Sequence, residues 1–345
     1  MYRYKNLNEF DDLEDDLPIR NGARRAHRKK KASIPQYAPK KAPEALWEEL
    51  AAADEDSGDF IKTYNASRHE RVWIADALTH FYHQQWITDI LRQVKGGKEA
   101  SVYLCEGHPN APLEFMAAKV YRPRHFRNLR NDHLYREGRL ELDEAGNEII
   151  DGGMLHAMAK RTTYGQDLLH SSWIAYEMVS METLHAAGAA IPQPLGRSNN
   201  AILMEYIGAP DFPAPILQSV SLPRGEAGTL YRKVVDNIVL MLAHDIIHGD
   251  LSAYNILYWD GDVILIDFPQ VVAPGQNRSA YQIFQRDVQR VCEYFTAQGV
   301  RTDARRLARD LWKQRGLRTG PDVHPGLLDA EDEDDILYWQ ALQEG

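Results

Sequence analysis

The chain has little cysteine, no long apolar run and no excess of positive charge. Its 345 residues include two cysteines, Cys105 and Cys292. Two distant thiols build neither a disulfide framework nor a metal-ligand spacing, which points to a reducing compartment and a cytoplasmic location. No run approaches the roughly 20 apolar residues of a membrane helix, so no membrane partner is expected. The N-terminus opens Tyr2-Arg3-Tyr4-Lys5 and then turns acidic, unlike a secretory signal. A formal net charge of −10 argues against a general nucleic-acid binder. Apolar and charged fractions of 44% and 26% are those of an ordinary soluble protein. The length suffices for two modest lobes and a sizeable core.

Charge is uneven along the chain. Glu9 to Asp16 is acid-rich, and Arg20, Arg24, Arg25, Arg28, Lys29, Lys30 and Lys31 form a basic block. Pro35, Pro39 and Pro43 follow, then Asp54-Glu55-Asp56. Opposite charge blocks with few apolar residues favour disorder, so residues 1–62 are expected to be a charged tail. The plain reading is a solvated, self-neutralising tail; the sharper one has segment 20–31 touching RNA, the ribosome or an acidic partner. Asp329 to Asp335 marks 321–345 as an acidic C-terminal tail.

Between the tails, 63–320 reads as one domain. The pattern predicts a helix over 67–93, with Trp73, Ala77, Phe81 and Ile87 among its apolar positions. Strands are expected at 100–105 and 115–121. Residues 122–170 are polar and too long for a structureless loop unless functional, which suggests a mobile loop. A helix over 172–187, N-capped by Ser171 or Ser172, carries Ile174, Met178, Met181 and Leu184 and stops at Gly188. A strand at 201–206 and helices at 229–245, 279–298 and 302–315 complete the pattern. The class is α+β with two lobes: a small β-rich N-lobe over about 90–207 and a mostly helical C-lobe over about 208–320.

The chemistry concentrates in Ile246-Ile247-His248-Gly249-Asp250-Leu251-Ser252-Ala253-Tyr254-Asn255-Ile256-Leu257 and Ile264-Leu265-Ile266-Asp267. ATP-dependent phosphoryl transfer needs one carboxylate at the attacking hydroxyl, and a carboxamide and second carboxylate holding Mg²⁺. Ile256 to Trp259 and Asp262 to Ile266 read as strands, and Asp260-Gly261 suits a two-residue turn between them. That register sets 255 opposite 266 and 254 opposite 267. Asn255 and Asp267 are therefore expected to meet, with Asp250 just upstream. His248 is read as structural, shaping the loop.

Upstream, Val94-Lys95-Gly96-Gly97-Lys98-Glu99-Ala100-Ser101-Val102-Tyr103 can bring main-chain N–H groups to a phosphate, although a Gly-Gly pair can be only a turn. Lys119 lies in the apolar run Met116-Ala117-Ala118-Lys119-Val120 and needs a partner, because a lone buried ammonium is costly. Glu177, beside the buried stripe of the 172–187 helix, is the candidate; a plain surface glutamate is the alternative.

These residues resemble the RIO family of atypical serine/threonine protein kinases. His248-Gly249-Asp250-Leu251-Ser252-x-x-Asn255-Ile256-Leu257 is similar to its catalytic loop, and Ile266-Asp267-x-x-Gln270 to its metal segment. Gly97-Lys98-Glu99-Ala100-x-Val102 resembles its nucleotide loop. Trp173, Glu177 and Leu184-x-x-x-Gly188-x-x-Ile191-Pro192-x-Pro194 resemble helix C and the strand beyond, and Leu203 to Gly208 its hinge. The segment 122–170 sits where the family carries a flexible loop. The match covers about residues 65–300 and is best to the subfamily without an N-terminal winged helix. Phe268-Pro269 looks more like the winged-helix subfamily, and the acidic C-terminus differs from a basic tail.

The resemblance implies ATP and Mg²⁺, with Mn²⁺ as an alternative ion. It implies Asp250 as catalytic residue, Asp267 as metal ligand and aspartyl-phosphate site, and Asn255 as second metal ligand. Lys98, Glu99, Ser101, Val102, Lys119, Glu177, Met204, Glu205 and Ile207 are the implied ATP-binding residues. The substrate would be a protein or the chain itself. Gly249 stands where many protein kinases have Arg, and no Ala-Pro-Glu follows Asp267, so no docking partner for an activation-loop phosphate is evident. Two other functions use the same residues: a small-molecule phosphotransferase of aminoglycoside or choline kinase type, and an ATP-switched assembly factor. The Gly-Lys-Glu-Ala-x-Val loop and Gln270 argue against the former.

Overall fold

The computed structural model describes residues 60–97, 99–122, 135, 137–223 and 225–317. The chain divides into the units Met1–Ala45 and Leu46–Gly345, and all described residues belong to the second. Residues 1–59, including the basic segment 20–31, and the acidic tail 321–345 lie outside the described residues. Residues 60–62, expected in the tail, belong to the folded part. Phe60 and Ile61 are buried beside Leu78 and Phe81, and the main chain of Lys62 donates to Asp89 Oδ1 at 2.8 Å.

Ser67 caps α1, Arg68–His83, by accepting from the Glu70 N–H. The expected helix over 67–93 ends early: Gln85 turns left-handed at φ 58°, and Ile87–Gly96 forms strand β1. The apolar spacing from Phe81 to Ile87 fits a helix only if residues 84–86 stay helical, and the backbone leaves that path there. Strands β2, Ala100–Gly107, and β3, Phe115–Tyr121, follow as expected. With β4, Pro194–Arg197, and β5, Ala201–Glu205, they make an antiparallel sheet ordered β1-β2-β3-β5-β4.

Directly opposed residues share a face of the sheet. Val102, Lys119 and Ile202 line up on one face, and Ser101, Val120 and Ala201 on the other. The second face packs against α1 through Ile74, Leu78 and Phe81.

The segment 122–170, expected as a mobile loop, contains a helix and the start of another among its described residues; 123–134 and 136 lie outside them. Asp143 Oδ1 accepts from the N–H groups of Ala145 and Asn147, both at 2.8 Å, closing a turn. Asp151 then caps α2, Gly152–Ala159. Helix α3, Thr163–Ala186, starts at Thr162 as N-cap and not at Ser171 or Ser172. Its first two turns bury only Gly165 and Leu169, so they lack an apolar stripe that a sequence reading could follow. Ser172 sits inside the helix, bonded to the Leu142 N–H at 2.8 Å and to Glu141 at 2.7 Å.

The short ribbon β6, Gly208–Ala209, and β7, Phe212–Pro213, leads into the helical part: α4, Ala227–Ala243, α5, Ala280–Ala297, and α6, Ala304–Gln314. Between α4 and α5 lies the hairpin of β8, Ile256–Trp259, and β9, Asp262–Leu265. Its pairing Trp259↔Asp262 leaves the expected two-residue turn. Asp260 and Gly261 take positive φ of 50° and 74°, as the primed hairpin turns require. Buried Ile238, Phe268, Val288 and Trp312 join α3 and the hairpin in one core. Among the described residues no helix is long and apolar enough to cross a membrane. The fold is α+β, with a β-rich N-terminal part and a helical C-terminal part.

Candidate active site

Lys119 is the centre of the site. Its Nζ lies 2.7 Å from Glu177 Oε1 of α3 and 2.5 Å from Asp267 Oδ1, just past β9. Three residues far apart in sequence are thus joined by one ammonium. Burial alone would pull the Lys119 ammonium below its usual range, but Asp267 and Glu177 outweigh that and raise it well above. Burial likewise acts to raise the Asp267 carboxyl, and Lys119 overrides it to hold it low. Glu177 is 1% exposed. Its second oxygen accepts from the Tyr121 hydroxyl, a contact the sequence reading missed; Tyr121 follows Lys119 on the same face of β3, two residues on.

The 248–255 loop is built by short-range contacts. Gly249 has φ of +83°, and a Cβ there would lie 2.1 Å from the Gln270 carbonyl oxygen. Glycine is therefore required at this position. His248 accepts from the Asp250 N–H at Nδ1, 3.3 Å, and donates from Nε2 to the Ile266 carbonyl, 3.1 Å. Burial lowers its pKa, so the neutral ring fixes the loop, as expected. Asn255 donates both amide hydrogens to Asp250, at 2.8 Å to its carbonyl and 2.9 Å to Oδ2.

Asn255 and Asp267 were expected to meet, but among the described residues no contact joins their side chains. The register holds at Ile266, whose N–H donates to the Asn255 carbonyl at 3.0 Å. Asp267 then takes a positive φ of 73° and leaves the strand, turning to Lys119. Asp and Asn tolerate this conformation better than most residues.

The remaining expected nucleotide residues divide. Val102 lies opposite Lys119 on the site face. Ser101 pairs with Val120, so its side chain is buried on the α1 face and leaves the site; strand alternation decides this. Gly97 closes a turn by donating to the Ala100 carbonyl at 3.0 Å, and the Glu99 carbonyl accepts from the Arg122 N–H at 2.8 Å. Lys98 lies outside the described residues. Met204 and Glu205 end β5. The Glu205 carboxylate accepts from the Gln193 N–H at 3.1 Å, so its side chain is structural. The Ile207 carbonyl accepts from the Ala214 N–H at 3.0 Å.

A supporting group was not legible in the motifs. Asp287 of α5 is 2% exposed and accepts from the Gly249 N–H at 2.8 Å. Burial pushes its carboxyl up to about 7, against the pull of Arg286. Arg286 donates to the Gly249 carbonyl, and Arg290 Nη1 lies 2.7 Å from Asp250 Oδ1. The available signal was Asp287 among buried Phe284, Val288 and Val291, a carboxylate inside an apolar stripe.

The segment after Asp267 is fastened from two sides. Trp173 Nε1 of α3 donates to the Pro269 carbonyl at 3.0 Å. Arg139 stacks over Tyr176 at 4.5 Å and donates to the carbonyls of Pro269 and Val271 at 3.1 and 2.7 Å. Gly138, at φ +75°, lets this strap approach the Gln276 carbonyl, which a Cβ would meet at 2.2 Å.

The donor set suits a hard cation bridged to phosphates. The Asp267 side chain is 39% exposed. Asn255 commits its amide hydrogens to Asp250, which leaves its oxygen as the donor. Among the described residues no group of three His, Cys, Asp or Glu side chains forms a closed metal cage. One carboxylate and one amide oxygen would suit a hard divalent cation that draws its remaining ligands from water and substrate.

The chain is similar to the RIO-type serine/threonine-protein kinase Rio1 of Haloferax volcanii, 28% identical over 212 residues, covering 61% of this chain and 64% of that protein. It is 34% identical over 131 residues to the protein of the same name from Thermoplasma acidophilum, covering 38% and 67%. Serine/threonine-protein kinase rio2 of Schizosaccharomyces pombe is 35% identical over 120 residues, which are 33% of its length. The chain thus spans from a third to about two thirds of these relatives. The RIO domain model matches residues 133–307, about half of the chain, from the strap before α2 to the first turn of α6, and on that match the chain belongs to the RIO domain family.

Proposed function

We propose that this chain is an ATP-dependent serine/threonine protein kinase of RIO type, using Mg²⁺ or Mn²⁺. The observation that carries the reading is Lys119 held between Glu177 at 2.7 Å and Asp267 at 2.5 Å. Lys119 is the group that would hold the α- and β-phosphates, and Glu177 and Tyr121 keep it in place. Asn255 and Asp267 would hold the cation, whose charge would offset that of the phosphates. Asp250 orients the acceptor hydroxyl and accepts its proton. Val102, Met204 and the main chain of Glu205 and Ile207 would line the nucleotide's path, with Lys98 and Glu99 as further nucleotide-binding residues. A protein, or the chain itself, is the acceptor, and the Asp267 carboxylate is a second candidate acceptor that would yield an acyl-phosphate.

The test is an ATPase and protein-kinase assay of wild type against Asp250→Ala, with hydroxylamine trapping of acyl-phosphate. Turnover in wild type that is lost in the variant supports the reading. Wild-type protein that binds ATP and metal without turnover would instead favour an ATP-switched assembly factor. Phosphorylation of an aminoglycoside or choline, with no transfer to protein, would favour the small-molecule phosphotransferase. A cytoplasmic location, and contact of segment 20–31 with RNA or the ribosome, remain part of the proposal and are tested by fractionation of cells carrying a 20–31 deletion.

A further inference from the structure

Asp250 has its two carboxylate oxygens engaged by different kinds of partner. Oδ2 is held by Asn255, a buried residue of the same loop, which also grips the Asp250 carbonyl. Oδ1 is held by Arg290, one turn beyond Arg286 on α5, at 2.7 Å. The Arg290 side chain is 36% exposed, so it is the partner that can be withdrawn towards solvent. A hydroxyl that reaches Asp250 Oδ1 therefore arrives directly beside the Arg290 guanidinium.

Along α5 the withdrawn guanidinium has few places to go. Arg286, four residues back, carries a like charge, which is unfavourable at that helical spacing. Asp287 is buried beneath the loop, bonded to the main-chain N–H groups of Gly249 and Leu251. Glu293, one turn on, is engaged by Gln289 at 2.8 Å. An acceptor that brings its own anion next to the hydroxyl resolves the conflict. Its carboxylate takes the Arg290 fork bidentately as its hydroxyl takes Asp250 Oδ1.

We propose that Arg290 is a specificity-determining residue that selects acidic peptides, with a carboxylate close to the acceptor serine or threonine. This rests on the protein-kinase reading of the site. Arg290 then works twice: it occupies Asp250 while no acceptor is bound, and it reads the acceptor's charge when one arrives.

The experiment measures binding apart from turnover. Fluorescent peptides carrying one serine flanked by Glu, by Gln or by Lys are titrated by anisotropy into the full chain, as wild type, Arg290→Lys and Arg290→Gln. Wild type should bind the Glu peptide about tenfold more tightly than the Gln peptide, the size expected of one charge-assisted contact. Arg290→Gln should lose that margin, and Arg290→Lys should keep part of it. Equal binding of the Glu and Gln peptides by wild type, or an undiminished margin in Arg290→Gln, would overturn the proposal. The same peptides are then offered with ATP and Mg²⁺. An Arg290-dependent preference in binding without phosphate transfer would leave the acidic-peptide site standing and remove the kinase reading.

Discussion

The indole of Trp173 donates to the carbonyl of Pro269 at 3.0 Å, tying α3 to the segment that follows Asp267. That carbonyl also accepts from Arg139 at 3.1 Å. Trp173→Phe alone leaves the oxygen satisfied and should cost about 0.5–1.5 kcal/mol. Combined with Arg139→Met it leaves the oxygen bare, and the loss should exceed the sum of the single changes. Urea unfolding of the four proteins measures this; strict additivity would mean that the two donors do not share a load.

Lys119 neutralises a carboxylate that is almost fully buried. Lys119→Met should therefore destabilise the fold by about 3–5 kcal/mol, the usual effect of removing one partner of a buried pair. Adding Glu177→Gln removes the stranded charge and keeps an acceptor for the Tyr121 hydroxyl, so stability should partly return while ATP turnover does not. A single variant that melts like wild type would contradict the burial of this pair.

Asp250 and Asp267 should fail in different ways. Asp250→Asn should abolish transfer to an external hydroxyl and leave Mg-ATP affinity nearly intact, because Asp250 contacts Asn255 and Arg290 and not Lys119. Asp267→Asn should weaken Mg²⁺-dependent nucleotide binding and remove any protein-bound acyl-phosphate. Calorimetric titration separates them, and an equal loss of affinity in both would refute the division.

Asp287 should give stability a distinctive pH dependence. Its folded carboxyl, pushed by burial up to about 7, holds a proton that the unfolded chain releases near its ordinary value of 3.8. The folded state binds more protons between those limits, so this contribution is full below about 4 and is lost as pH rises to about 7. Asp287→Asn should flatten that decline. Denaturant midpoints from pH 4 to 8 would show it, and parallel curves for variant and wild type would place the titration elsewhere.

What the sequence showed well was local. The catalytic loop and the β8–β9 hairpin are close in the chain, and Asp260-Gly261 carries its own turn signal, so register followed from spacing. The partnership of Lys119 with Glu177 was legible because an ammonium in an apolar strand demands a counter-charge. The departures at β1, at the start of α3 and at Ser101 have separate causes. Apolar spacing ran through the break at Gln85 and hid β1. The polar first turns of α3 concealed its start. Strand alternation sends Ser101 to the opposite face from Val102, although both belong to one motif. Asp287, Arg290, Trp173 and Arg139 act across the fold, and no local pattern announces which loop they will meet.

The 2.5 Å contact between Lys119 and Asp267 has a thermodynamic corollary. On the proposed function, a divalent cation and the ammonium would compete for the same carboxylate. Asp267 would be released to the cation readily only when Lys119 has phosphate oxygens to move to, and Lys119 would move readily only when something else balances Asp267. Nucleotide and metal should therefore enter with positive cooperativity. By linkage, the factor by which Mg²⁺ tightens nucleotide binding must equal the factor by which nucleotide tightens Mg²⁺.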